Sequence, residues 1–580
     1  MSERAPQDAR LDRRAFLERM TALTSVATLA GAGTALPLGA SVLPSVPLRE
    51  RGGRRARIEL PRPLLPRALH RLGQVADTAE LTLAEASALI REGRLRPSEL
   101  VESCLERIGR YEGALDAFNL VREDGAREEA RRLDGAPWRG ALHGVPLAIK
   151  DNYYTAGIPT TANSHIFADF VPEYDATAVA RLKDAGGIVL GKTQMGPLAT
   201  TAATTPDGKR TTVNAWAPTN EDVSPGGSSS GSATAVAARL ASSSTGTQTG
   251  GSITTPSSAQ GLTGLKPTMG RVSLHGIIPL TYTRDHPGPL ARDAMDAAVM
   301  LQAMAGPDPH DPRTLGLPEV PDYVRAATPV RERGRTRLRW PTTVGVIPGY
   351  TTPEVGEGFI PQDETPEARR RREARAQQRQ RRAEAEARLR TDMLRQLDDL
   401  GARVVEVVMP EQWEELTSSD LNNVRLPERT EPFLEHLQKD VRLFGVSLSP
   451  WINGLLLPGV EYLRGQRAKM LLLRRVLDQL FTQCDVVVQT EPFPFDMVGL
   501  PLIAFPIGFE DSYGVDTPVG GILGAAPFGE ERLLSLVAAY QEATEWHTRK
   551  PADPAPAARD GGVRPDRGQV DVEDVMHLGE

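Results

Sequence analysis

Residues 226–252 read GGSSSGSATAVAARLASSSTGTQTGGS, and how this stretch is read decides the fold. By composition alone it would be a flexible Ser/Gly linker. The block between its two Ser/Gly runs excludes that, because ATAVAARLA (233–241) is a small-residue helix pattern that a linker has no reason to contain. The first run, GGSSSGS (226–232), therefore stands at a helix N-terminus, where hydroxyls and free N–H groups gather. In the second, TGTQTGGS (245–252), consecutive glycines let backbone N–H groups converge beside Ser252. Upstream, HGVPLAIKD (143–151) is a short apolar strand pattern, Val145 to Ile149, that delivers Lys150 at its end.

Two other motif matches fail on context. GGIVLGKT (186–193) satisfies GxxxxGK[ST] letter for letter, but Ile188, Val189 and Leu190 are strand residues where a phosphate loop needs flexible backbone. Asp175 is expected to cap the preceding helix and Gly186 to end it, so Lys192 emerges after a strand. GSSSG (227–231) matches the GxSxG nucleophile elbow around Ser229, yet the preceding TNEDVSPG is polar and holds Pro225, so the required strand is missing.

The chain has 580 residues, 40% hydrophobic and 25% charged, enough to bury a sizeable core. Lys+Arg 68 against Asp+Glu 75 gives −7, which offers no global attraction to nucleic acid. Cys104 and Cys484 are too isolated for a disulfide framework or a CxxC site. Cys104 lies on the apolar stripe of a helix that Ser98 is placed to cap, and is expected as a core thiol. The nine His include no HExxH pair, and no metal is expected. Residues 1–40 resemble a bacterial twin-arginine signal: Arg13 and Arg14 precede Phe16, Leu17 and a mildly apolar segment that carries no charge from 21 to 36. Residues 41–78 read as a Pro- and Arg-rich linker, and 551–580 as a disordered tail. An Arg- and Ala-rich run at about 360–392 reads as a solvated helical insertion.

HGVPLAIKD, then GGSSSGS with Ser228 78 residues after Lys150, then TGTQTGGS with Ser252 24 residues after Ser228, resemble the amidase signature family of serine hydrolases. GLKPTMGRVS (264–273), RDHPGPLARD (284–293), GLPLIAFPIGF (499–509) and ERLLSLVAAYQEATEWH (531–547) extend the resemblance, giving a domain over 79–550. The resemblance implies an α/β fold with a mixed β-sheet core flanked by α-helices and a cofactor-free site. It makes Ser252 the nucleophile, Ser228 a bridging serine held by a cis peptide, and Lys150 the base. The N–H groups of Thr249, Gly250, Gly251 and Ser252 would form the oxyanion hole. The chemistry stands by itself: a serine hydroxyl needs a base within reach, and a Lys can serve if burial lowers its pKa from ~10.4 towards ~7–8. Three positions depart from the commoner pattern. Gln248 stands for a frequent Asp, Thr254 for Arg and Gln260 for Cys. Losing the Arg removes a bidentate carboxylate donor, which disfavours a small dicarboxylate-type substrate.

The expected activity is hydrolysis of a linear carboxamide, a small-molecule amide, by a protein exported across the bacterial inner membrane through the twin-arginine machinery. One alternative is an aminoacyl-tRNA amidotransferase of which this chain would be the A-type component; the signal segment and the −7 charge count against it. Another is a catalytically silent binding protein on the same fold, against which the intact Lys150, Ser228 and Ser252 count.

Overall fold

Short apolar runs bounded by Gly, Pro and polar turns become strands. The computed structural model describes residues 57–62, 64–204, 211–353, 365–511 and 513–556; the expected signal (1–40) lies outside the described residues, as does the expected tail (551–580) from 557 on, while in the described part of the tail Pro551 is buried and Asp553 pairs with Arg107. The strands are β1 (Phe118–Val121), β2 (Pro146–Lys150), β3 (Ile188–Thr193), β4 (Ser243–Gln248), β5 (Thr263–Lys266), β6 (His286–Ala291), β7 (Val330–Glu332), β8 (Arg335–Arg337), β9 (Thr343–Val346), β10 (Arg403–Glu406), β11 (Val486–Gln489), β12 (Leu502–Glu510) and β13 (Thr517–Ala525). Eleven form one mixed sheet in the order β1-β3-β2-β4-β6-β5-β12-β13-β11-β9-β10, while β7 and β8 make a separate hairpin. β3, β2 and β4 run parallel, so their C-terminal ends reach one edge. The strands from β4 through β6, β5, β12 and β13 to β11 are antiparallel. β6 carries Pro287 and Pro289, which cannot donate to a ladder; it pairs with β5 only beyond them, at Leu290 and Ala291.

Alternation along the central strands shows that the sheet is covered on both faces. Leu147 and Ile149 of β2 and Val189 of β3 pack with the helices Ala294–Met304 and Glu530–Ala543. Ala148, Ile188 and Leu190 point the other way, into the helices Pro97–Leu115 and Ser230–Ala237. Every residue of Ser230–Ala237 is buried, which its Ser, Gly, Ala, Thr and Val side chains are small enough to allow. This is the expected α/β architecture of a mixed sheet flanked by helices.

Three local expectations are corrected. Ser98 lies inside its helix, which begins at Pro97; the Glu99 carboxylate accepts the Arg96 N–H at 2.9 Å instead. Asp175 is not a cap, since the helix Thr177–Asp184 starts after Ala176; Asp175 accepts the Ala156 N–H at 2.8 Å and pairs with Lys183 at 2.6 Å. Within the expected linker, Leu64–Leu72 form a helix that buries Ala68 and pairs Arg67 with Glu542 at 3.2 Å. Gly186 has φ +98°, and a Cβ there would stand 2.8 Å from the His143 Cα, so the turn into β3 requires glycine. Cys104 is buried as expected, and desolvation pushes its thiol up to about 12.

The Arg-rich run lies in one helix, Pro366–Asp399. Its charges are spaced for i,i+4 pairs, Arg369 with Glu373 at 3.1 Å and Arg382 with Glu386 at 2.9 Å, and Arg382 also reaches Glu510 at 2.7 Å. Farther along, Ala385, Ala387, Met393 and Leu397 are buried and dock it on the core. Leu397→Ala should therefore lower stability in denaturant titration by about 2–5 kcal/mol. Arg375→Ala, on the exposed half, should change it by less than about 0.5 kcal/mol.

Candidate active site

The parallel arrangement of β2 and β4 decides where the chemistry gathers. Leu147 and Ala148 pair with Ser243 and Ser244, and Thr245 Oγ1 accepts the Lys150 N–H at 3.0 Å. Lys150 therefore ends its strand beside Thr247, and the loop 249–252, which carries the expected nucleophile Ser252, follows from the same edge. Lys150 is completely buried, and its Nζ donates to Ser228 Oγ at 2.9 Å, to Thr247 Oγ1 at 2.9 Å and to the Thr247 carbonyl at 3.4 Å. Asn152 Nδ2 also donates to Thr247 Oγ1, at 3.1 Å. Ser228 follows a cis peptide from Gly227 and lies just before the buried small-residue helix. Ser252 leads into the helix Thr254–Gln260 and is 7% exposed, against 0% for Lys150 and 1% for Ser228.

Three lysines are buried in this sheet, and their partners separate them. Lys192 lies 3.3 Å from Asp151 and donates to the Tyr153 carbonyl and Thr160 Oγ1, which leaves it no role in gripping a phosphate. Lys266 lies 3.3 Å from Asp496. Among the described residues Lys150 has no ion pair. Desolvation lowers its pKa to about 7, opposed only by the through-space charge of Asp285. Of the three, Lys150 alone combines a serine hydroxyl partner with no carboxylate within ion-pair distance.

The nucleophile loop is held by a second buried system. Gln248 Oε1 accepts the N–H groups of Ile253 and Thr254 at 2.8 and 2.9 Å, the free donors of the helix that follows. Its Nε2 donates to both oxygens of Asp496, at 2.8 and 3.0 Å. Asp496 also accepts the Gly251 N–H at 2.8 Å. The structure thus differs from the expected oxyanion hole at one donor: Gly251's N–H is already taken. No hydrogen bond among the described residues engages the N–H groups of Thr249, Gly250 or Ser252. Gly251 has φ +88°, and a Cβ there would meet Thr255 Oγ1 at 2.7 Å, so the bend beside Ser252 requires glycine. Thr249 Oγ1 hydrogen-bonds Asp285, which also accepts the Leu280 and Thr281 N–H groups. Ser229, by contrast, sits buried with no strand immediately before it and, among the described residues, no partner for its hydroxyl.

Sequence reasoning assigns no roles to Thr247, Asn152, Asp285 or Asp496. Thr247 and Asn152 were findable, lying inside or beside the quoted motifs. Asp496 is 244 residues from Ser252, and no local pattern points to it.

Comparison with known proteins agrees with this geometry. The Amidase family profile matches residues 99–348. The A-type subunit of the glutamyl-tRNA(Gln) amidotransferase from Roseiflexus sp. (strain RS-1) is 33% identical over 525 residues, covering 81% of this chain and 98% of its own. Among solved structures, the native peptide amidase from Stenotrophomonas maltophilia is 28% identical with a TM-score of 0.64, covering 82% of this chain and 98% of that one. An amidase family protein from Bacillus anthracis str. Ames is 25% identical with a TM-score of 0.66, covering 84% and 94%. The chain belongs to the amidase family, and it is an enzyme of the class that acts on amide C–N bonds.

A base must be neutral before it accepts a proton, so activity should rise with pH along a limb centred near pH 7, where Lys150 deprotonates. Asp285 holds that pKa up, so Asp285→Asn should move the limb to lower pH. A pH profile of kcat/KM for both proteins checks this; a limb that stays put or moves upward contradicts it.

Proposed function

We propose that the protein hydrolyses a linear carboxamide through an acyl-enzyme on Ser252. The observation that carries this is the 2.9 Å hydrogen bond between a buried, carboxylate-free Lys150 amine and Ser228 Oγ, at the strand edge from which Ser252 also emerges. Ser252 Oγ attacks the amide carbon while its proton passes to Ser228 Oγ, whose own proton passes to Lys150 Nζ. A hydroxyl can donate and accept at once, which suits Ser228 to this relay. The tetrahedral oxyanion is stabilised by N–H groups of the loop, Thr249, Gly250 and Ser252, a contribution typically worth ~3–4 kcal/mol per donor. The C–N bond then breaks, the leaving nitrogen takes the proton back along the same path, and water releases the acid from Ser252 by the reverse route.

The names of the curated relatives favour a second reading, in which the chain is the A-type component of a tRNA-dependent amidotransferase. The Arg13-Arg14 segment and the net charge of −7 favour the stand-alone hydrolase. The same segment supports export of the folded enzyme by the twin-arginine route. That route suits a site assembled from Lys150 and Ser252, 102 residues apart, in a chain whose two cysteines are far from each other in sequence.

Ser252→Ala should abolish amide turnover. Ser228→Ala and Lys150→Ala should each lose several orders of magnitude, and the double variant should lose little more than either alone, because the three move one proton together. Steady-state rates on aryl and aliphatic amides test this; near-parental rates for purified Ser252→Ala would refute it. Replacing Arg13 and Arg14 with Lys should leave activity in the cytosolic fraction, and continued export of that variant would show that the segment is no address.

A further inference from the structure

Next to the proposed site lie three arginines that the sheet and its motifs do not explain. Arg284 is 2% exposed and Arg429 7%, and Arg425 is half-buried. Arg284 Nη1 donates to Asn422 Oδ1 at 2.7 Å, and Arg425 Nη1 hydrogen-bonds the same oxygen. Two guanidinium groups thus converge on one neutral carbonyl oxygen. Arg429 packs on the Trp451 ring, 5.8 Å from its centre, and among the described residues its guanidinium makes no hydrogen bond. None of the three forms an ion pair with a described carboxylate, and the buried Nε groups of Arg284 and Arg429 have no partner among the described residues.

The nearby carboxylates are otherwise engaged. Glu428 accepts from Thr283 N and Oγ1, Tyr462 and Gln466, while Asp285 accepts from Thr249, Leu280 and Thr281. Lys469, also buried, donates to Thr283 Oγ1 at 2.9 Å and adds a further positive charge. Desolvation, and the charges of Arg284 and Arg429 with it, push the Arg425 pKa downward. Asp285, Asp496 and Glu428 act on these buried guanidinium groups only through space, so the cluster is short of ion-pair partners that an anion would supply.

The cluster adjoins the nucleophile loop through two contacts. Asp285, the neighbour of Arg284 in sequence, accepts the Thr249 hydroxyl. The Arg284 guanidinium stacks over Phe493 at 5.3 Å, and the preceding Pro492 places its Cγ 3.1 Å from where a Cβ on Gly251 would stand. Resting on the amidase site proposed above, we infer that Arg284 and Arg425, with Arg429 behind them, form a carboxylate-binding subsite, and that the substrate is an amide whose acyl or amine portion carries a carboxylate. A guanidinium fork matches the two oxygens of a carboxylate, and Asn422 holds two such forks together. The guanidinium that Thr254 lacks near the nucleophile is supplied from segments 32 and 173 residues after Ser252.

The test measures binding without turnover. Ser252→Ala is titrated calorimetrically with succinamate, glutaramate and adipamate, and with butyramide, valeramide and hexanamide as uncharged partners of the same length. At least one acid-bearing amide should bind about tenfold or more tightly than its neutral counterpart, as expected for hydrogen bonds to a charged group. That excess should vanish when Arg284→Met or Arg425→Met is added, and Arg284→Lys should restore part of it. Arg425 is only half-buried, so its variant remains informative if Arg284→Met does not fold. Equal binding of charged and neutral amides, or an excess that survives both Met substitutions, overturns the subsite. Failure of the unaltered protein to hydrolyse any amide would instead count against the catalytic reading, because these titrations do not depend on it.

Discussion

The arrangement turns on one buried amine that is denied a counter-charge. Removing an ammonium from water without a partner is costly enough to shift protonation instead, and Lys150 is placed where that shift ends near neutrality. Much of the surrounding structure serves this condition. β2 is buried on both faces and delivers the side chain at its C-terminal end, the small-residue helix lets Ser228 approach within 2.9 Å, and Thr247 offers hydroxyl and carbonyl oxygens but no charge. A carboxylate at ion-pair distance would oppose that fall, as Asp151 does for Lys192 a strand away, where burial still lowers the amine's pKa.

The nucleophile loop meets the opposite requirement, since its position depends on charge being present and fully compensated. Where a shorter acidic side chain is common, Gln248 accepts the two helix N–H groups through its carbonyl and is left with an amide that must donate. Asp496 receives it, and that carboxylate is balanced by Lys266 at 3.3 Å and by the Gly251 N–H. Gln248 thus draws on a buried acceptor, Asp496, and through it on a buried cation, Lys266, from elsewhere in the chain. The Gly251 N–H is thereby engaged by Asp496, while the N–H groups of Thr249, Gly250 and Ser252 have no hydrogen-bond acceptor among the described residues.

Motif spacing made the strands around Lys150 and the buried helix at 230–237 legible, because each depends on contiguous residues. Alternation in β2 and β3 was legible for the same reason. The caps were not: Ser98 and Asp175 have suitable side chains, but Pro97 and Ala176 determine where their helices begin, and each residue's partner lies outside its helix or at its far end. The helix at 64–72 was hidden by a Pro- and Arg-rich composition that suggests a linker, although its Ala68 is fully buried. Asp285, Asp496 and the arginine cluster depend on contacts across more than 30 residues, where sequence order carries no distance information.

The two electrostatic demands have to coexist within one site, and Asp285 is positioned to separate them. It lies next to Arg284 in the chain, touches the nucleophile loop through Thr249, and is the one charge that acts on Lys150 besides its burial. Were the arginines to act on Lys150 directly, their positive charge would drive its pKa lower still and weaken it as a proton acceptor. The Asp285 charge acts on both Lys150 and the arginines, and it raises the Lys150 pKa that burial lowers. Burial and the charge of Arg284 pull the Arg429 pKa down, and the same carboxylate opposes that fall. Asp285 thus lends partial compensation to the cluster without closing an ion pair with any member of it.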